Sequence, residues 1–112
     1  MIKRRSFIMP QVMSTFKNTG LNENLIEEII SFAKQYDVEK LILFGSRARG
    51  DYKRKSDIDL AFLGGKASRF NLAVNEDTNT LLNFDVIDLG GIVQEDLKKS
   101  IEKEGIILYE KI

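Results

Sequence analysis

Gly45-Ser46-Arg47-Ala48-Arg49-Gly50-Asp51-Tyr52-Lys53-Arg54-Lys55-Ser56-Asp57-Ile58-Asp59-Leu60 is framed by two apolar runs, Leu41-Ile42-Leu43-Phe44 before it and Leu60-Ala61-Phe62-Leu63 after it. This pattern predicts a strand, a small-residue turn with a short helical piece, a basic loop, and a second strand that opens with two carboxylates. Asp57 and Asp59 are two residues apart, which in a strand puts both side chains on one face. Two like charges together at the start of an apolar strand are costly unless a cation sits between them. Mg²⁺ is the natural candidate, because it prefers carboxylate and phosphate oxygens. The Gly45-Ser46 turn offers close backbone approach and free N–H groups, which suit a phosphate. Between Arg47 and Lys55 there are five basic residues and one acid, a local positive field for phosphate chemistry.

Gly45-Ser46, ten residues, then Asp57-Ile58-Asp59 resembles the GSx10DxD signature of the minimal nucleotidyltransferases, within the DNA polymerase beta-like nucleotidyltransferase superfamily. Gly-Ser alone is an ordinary turn, and a lone Asp caps a strand. Together, at this spacing and between two strand-like runs, they are specific. The resemblance spans about Asn22 to Ile112.

Composition narrows the chemistry. The 112 residues fit one domain with a modest core. Cysteine and histidine are both absent. That removes disulfides, Cys/His zinc sites, Cys nucleophiles and His acid–base catalysis. Catalysis must then rest on carboxylates, cations and bound metal. A cysteine-free chain suits a reducing compartment, so a cytoplasmic location is expected.

The formal net charge is zero, but unevenly spread. Residues 1–20 carry Lys3, Arg4, Arg5 and Lys17 and no acid; the rest carry 13 basic and 17 acidic groups. A domain of negative net charge is a poor nonspecific nucleic-acid binder, so no direct nucleic-acid binding is expected. No apolar run is long enough to span a membrane. Residues 1–21 show no periodicity and read as a disordered lead-in that adds nothing to the core. Met13 is an alternative start, and a transit peptide a remoter reading.

From Asn22 or Asn24, a helix is expected to about Tyr36, with Leu25, Ile26, Ile29, Ile30, Phe32 and Ala33 at helical spacing. Val38–Phe44 reads as the first strand, buried on both faces. Ser46–Gly50 is a short helix, and Asp57–Leu63 a second strand antiparallel to the first. Ser68 to about Asn83 is expected to be helical, with Phe70, Ala73, Val74, Leu81 and Leu82 facing inward, although Asn75–Thr80 forms helix poorly. Phe84–Leu89 is the third strand, Gln94–Glu104 the last helix and Ile106–Tyr109 a final strand. The expected fold class is α+β: the polymerase beta-like nucleotidyltransferase fold, a small mixed sheet with helices packed over it. Residues 22–112 form the domain.

Nucleotidyl transfer needs in-line attack at an α-phosphate, with two metals able to clamp the attacking and leaving oxygens. Positioning and electrostatics carry such chemistry, so a missing His is no obstacle. Three carboxylates are the usual minimum. Asp57 and Asp59 are two; Asp85 and Asp88 are the strand-borne candidates for the third, and their spacing of three turns them to opposite faces. The resemblance selects Asp85, since the family's third carboxylate opens a run like Phe84-Asp85-Val86-Ile87. Asp88 is then a strand-end carboxylate. Asp57, Asp59 and Asp85 are the expected catalytic residues and ligands of two Mg²⁺ ions. Gly45, Ser46, Arg47 and Arg49 are the expected nucleotide ligands, with solvated surface cations as the alternative for the two arginines.

The domain reads as minimal, and it is expected to lack the extra helical domain with which larger relatives hold an acceptor. The resemblance therefore implies an acceptor presented by another protein. It points to the antitoxin half of HEPN–MNT pairs, which moves AMP from ATP onto a tyrosine of a helical HEPN toxin. The competing reading is a silent binding module that neutralises a HEPN partner by contact. A stand-alone antibiotic-modifying transferase is weaker, with no acceptor domain to support it. A homodimer is compatible with the sequence.

Overall fold

The computed structural model describes residues 17–112. After a 3-10 turn at Lys17–Thr19 come helix α1 (Glu23–Gln35), strand β1 (Lys40–Phe44), helix α2 (Gly45–Arg49), strand β2 (Ile58–Leu63), helix α3 (Ala67–Asp77), strand β3 (Phe84–Asp88), helix α4 (Glu95–Glu104) and strand β4 (Ile106–Glu110). The strands form one sheet in the order β3-β2-β1-β4. β1 pairs antiparallel with both β2 and β4, while β2 and β3 run parallel. The sheet is mixed, and the fold is α+β, as expected.

The alternation of a strand divides the core in two. Leu41 and Leu43 of β1, Ile58, Leu60 and Phe62 of β2 point to one face, where α1 and α3 cover them with Leu25, Ile26, Ile29, Ala33, Phe70 and Val74. Phe62 and Phe70 meet edge to face, centroids 5.0 Å apart. Ile42, Phe44 and Ala61 point to the other face, where Ile101 of α4 closes a smaller core with Ile87, Leu89 and Leu97 at its margin. α1 begins where Asn22 caps it: its Oδ1 accepts from the Leu25 N–H at 2.8 Å.

Four expectations need correction. Residues 17–21 are not idle, because Thr19 and Leu21 are buried and Leu21 joins the main core. The rest of the expected lead-in, residues 1–16, lies outside the described residues. The third helix stops at Asp77, six residues before the expected end. There the Thr78 hydroxyl donates to the Val74 carbonyl and the Asn79 N–H turns away to Glu28 Oε1, so side chains replace the helical ladder. Leu81, expected to face inward, is fully exposed, and only Leu82 of that segment packs on the core. Finally, β2 starts at Ile58, so Asp57 stands just before the strand.

Candidate active site

The site forms where β1 ends and β2 and β3 begin. β1 must reverse after Phe44, and Gly45 makes this possible with φ +77°, a left-handed conformation that costs other residues strain. Gly45 also lacks room for a side chain: an added Cβ would run into the Asp59 carboxylate. The pairing explains the contact, because Phe44 lies opposite Asp59 across the β1–β2 ladder. The Gly-Ser turn and the second carboxylate of the Asp-x-Asp thus meet through backbone register.

The parallel ladder brings in the third acid. Asp59 and Asp85 are register partners on β2 and β3. Both share the parity of Ala61 and Ile87, so they lie on the face of the sheet that α4 covers. Asp57 and Asp85 are exposed, while Asp59 is half-buried. Burial pushes the Asp59 carboxyl up to about 6 from 3.8, the charges of Asp85 and Asp57 add to the rise, and Arg49 opposes it. Asp85 and Asp57 thus both act electrostatically on Asp59.

Among the described residues, no three acidic side chains converge closely enough to make a ready metal cage. The donor set nonetheless suits a hard divalent cation: it is all oxygen, anionic, and self-repelling at Asp59. Asp88 takes no part in this group. Its register partner is Phe62, and its Oδ1 accepts from the Gly90 N–H at 2.9 Å, closing the turn after β3.

The two arginines of the turn separate. Two residues apart on a helix, they stand about 200° apart around its axis. Arg49 is exposed on the carboxylate side. Its Nε meets Asp51 Oδ2 at 3.1 Å and its Nη1 meets Glu104 Oε1 at 2.9 Å, linking α2 to the end of α4. Those partners hold its guanidinium charge, raising its affinity for the proton. Arg47 points the other way and is buried, 2% exposed. It donates to the carbonyls of Thr19, Arg54 and Ser56 and stacks on Tyr52, 4.8 Å from the ring centroid. Of the four residues expected to bind nucleotide, Arg47 is the one whose donors are engaged inside the protein. Burial was invisible in the sequence, where Arg47 and Arg49 look equivalent. A cavity of about 490 Å³ lies elsewhere, lined by Asn22, Asn24, Leu25, Glu27, Glu28 and Asn79, and holds none of these residues.

Residues 27–112 match the polymerase beta nucleotidyltransferase family. The chain belongs to that family. This nucleotidyltransferase is 31% identical over 99 residues, 78% of its length and 97% of the relative's, to a Methanocaldococcus jannaschii protein provisionally named a protein adenylyltransferase. Among solved structures it resembles a toxin–antitoxin crystallised with AMP-PNP, with 27% identity, a TM-score of 0.60, and coverage of 81% of this chain and 75% of that one. It also resembles a variant of the toxin–antitoxin MntA–HpeT, with 27% identity, a TM-score of 0.61, and coverage of 81% and 74%. Among the described residues of this nucleotidyltransferase, no helix is long and apolar enough to cross a membrane.

Proposed function

We propose that this nucleotidyltransferase moves AMP from ATP onto a hydroxyl of a helical, HEPN-type toxin partner, acting in the cytoplasm as the antitoxin of the pair. The observation that carries the reading is the register pairing of Asp59 with Asp85, with Asp57 at the strand mouth and Gly45 packed against Asp59. The relative named for protein adenylylation and the resemblance to toxin–antitoxin structures support the acceptor class.

Asp57, Asp59 and Asp85 would hold Mg²⁺, up to two ions, which when bound neutralises charge on the triphosphate and the entering oxygen. The chain's own groups do the rest. Gly45 and Ser46 let backbone N–H groups approach the phosphates. Arg49 brings its guanidinium toward the same charge from the α4 side. Asp85, exposed at the edge strand, accepts the hydrogen bond of the acceptor hydroxyl and takes its proton. The new bond joins the acceptor oxygen to the α-phosphorus. The bond from that phosphorus to the bridging oxygen breaks, and pyrophosphate leaves with its electron pair.

Intact-mass spectrometry of the helical partner, incubated with this chain, ATP and Mg²⁺, tests the reading. Added mass in whole AMP units is expected, and the Asp57→Asn, Asp59→Asn double variant should add none. A stable complex with unmodified partner would overturn transfer in favour of neutralisation by contact.

A further inference from the structure

Among the described residues, Arg47 is the only charged side chain removed from solvent. Burying a cation is costly unless hydrogen bonds replace its water. Here backbone oxygens replace it. Nη1 donates to the Thr19 carbonyl at 2.8 Å. Nε and Nη2 converge on the Ser56 carbonyl at 3.2 and 3.0 Å, and Nη2 also reaches the Arg54 carbonyl at 3.3 Å. Tyr52 covers the guanidinium face. Gly20 closes the shell with φ +73°; a Cβ there would run into the Tyr52 ring and come within 2.7 Å of Arg47 Nη1.

The Ser56 carbonyl belongs to the peptide bond that joins Ser56 to Asp57. Two donors of a rigid fork on that one oxygen set the orientation of the peptide plane leading into Asp57. The other end of Arg47 is anchored in α2, which starts at Gly45 against Asp59. One side chain therefore ties the Gly-Ser turn to the far end of the ten-residue loop. The Thr19 contact adds residues 17–21 to the same joint.

We propose that Arg47 is a positioning residue that places Asp57 relative to Asp59, through the Ser56 carbonyl, and so governs divalent-cation binding and not nucleotide contact. The inference rests on the reading that these carboxylates hold a cation. A lysine could reach one carbonyl but could not fork, so Arg47→Lys keeps the charge and removes the geometry. Tyr52→Leu, at a half-buried position, removes the ring that covers the guanidinium and is the gentler variant.

The test is a titration with Mn²⁺ in the absence of nucleotide, followed by electron paramagnetic resonance, for the full chain and both variants. Hydrogen exchange of residues 51–58 and the KM for ATP at saturating metal complete it. For Arg47→Lys we expect Mn²⁺ affinity to fall about tenfold or more, faster exchange in that segment, and a KM for ATP within about threefold of the parent. Tyr52→Leu should move the same quantities less, about two- to threefold. If a folded variant keeps parental Mn²⁺ affinity and exchange, the positioning role is overturned. Should Arg47→Lys fail to fold, the same result in folded Tyr52→Leu overturns it. A tenfold rise in KM with Mn²⁺ binding intact would make Arg47 a nucleotide ligand. Failure of the parent chain to bind Mn²⁺ would overturn the carboxylate reading itself and this inference with it.

Discussion

Asp59 and Asp85 are direct register partners on parallel neighbouring strands, their side chains on the same face of the sheet. Parallel pairing of β2 with β3 requires the crossover through α3, so two acids 26 positions apart meet because of topology. The folded chain half-buries Asp59 and holds Asp85 and Asp57 near it, and the Asp59 carboxyl carries the consequence of that burial first and of those charges second.

That consequence is a pH dependence of stability. The Asp59 carboxyl lies at about 6 in the folded protein against 3.8 ordinarily, so the folded state binds the proton more tightly. Its contribution is fully present below pH 3.8 and is lost as pH rises through about 6. In metal-free buffer, Asp59→Asn should raise Tm above the parent at pH 7–8, and the difference should shrink toward pH 4. Thermal denaturation across that range with chelator present checks it. A constant difference at all pH values would contradict the raised Asp59 carboxyl, whose cause is burial first and the neighbouring charges second.

Asp85 and Asp88 should separate cleanly on mutation. Asp85→Asn is expected to lower transfer about 10²–10⁴-fold, the scale of a lost acid–base group, with little change in Tm. Asp88→Asn removes only the carboxylate at the Gly90 turn and should leave transfer within about twofold. Turnover and melting curves of the two variants side by side decide the point.

Gly45→Ala should fail for two reasons. A left-handed φ costs a non-glycine residue about 1–2 kcal/mol. The new Cβ would also displace the Asp59 carboxylate. We expect a lowered Tm and transfer reduced below detection. An active Gly45→Ala would mean that the turn and Asp59 are less closely coupled than their packing implies.

The main core gives a contrast between two large apolar side chains. Phe70 is wholly buried against Phe62, whereas Leu81 is wholly exposed. Phe70→Ala should cost about 3–5 kcal/mol, the scale of a phenylalanine cavity. Leu81→Ala should fall within about 0.5 kcal/mol of the parent, as for a surface position. Urea denaturation of both variants measures the difference.

Local chemistry made much of this legible. The apolar runs flanking the Gly-Ser turn, the capped helix from Asn22 and the Asp-x-Asp at the head of a strand are short-range patterns, set by dihedral preference and periodicity. The weak helix formers at Asn75–Thr80 flagged the right place, but side-chain bonds at Thr78 and Asn79 decided where α3 ends.

By itself, then, the sequence determined the element order and placed the Gly-Ser and Asp-x-Asp motifs on it, because neighbours along the chain decide these, while the choice of Asp85 over Asp88 came from the family resemblance. Only the tertiary structure decided that Asp59 pairs with Asp85, that Thr19 and Leu21 belong to the fold, and that Arg47 turns inward while Arg49 stays out. Those outcomes depend on burial and on contacts between distant segments. Two arginines in one short motif carry no mark of which will lose its water.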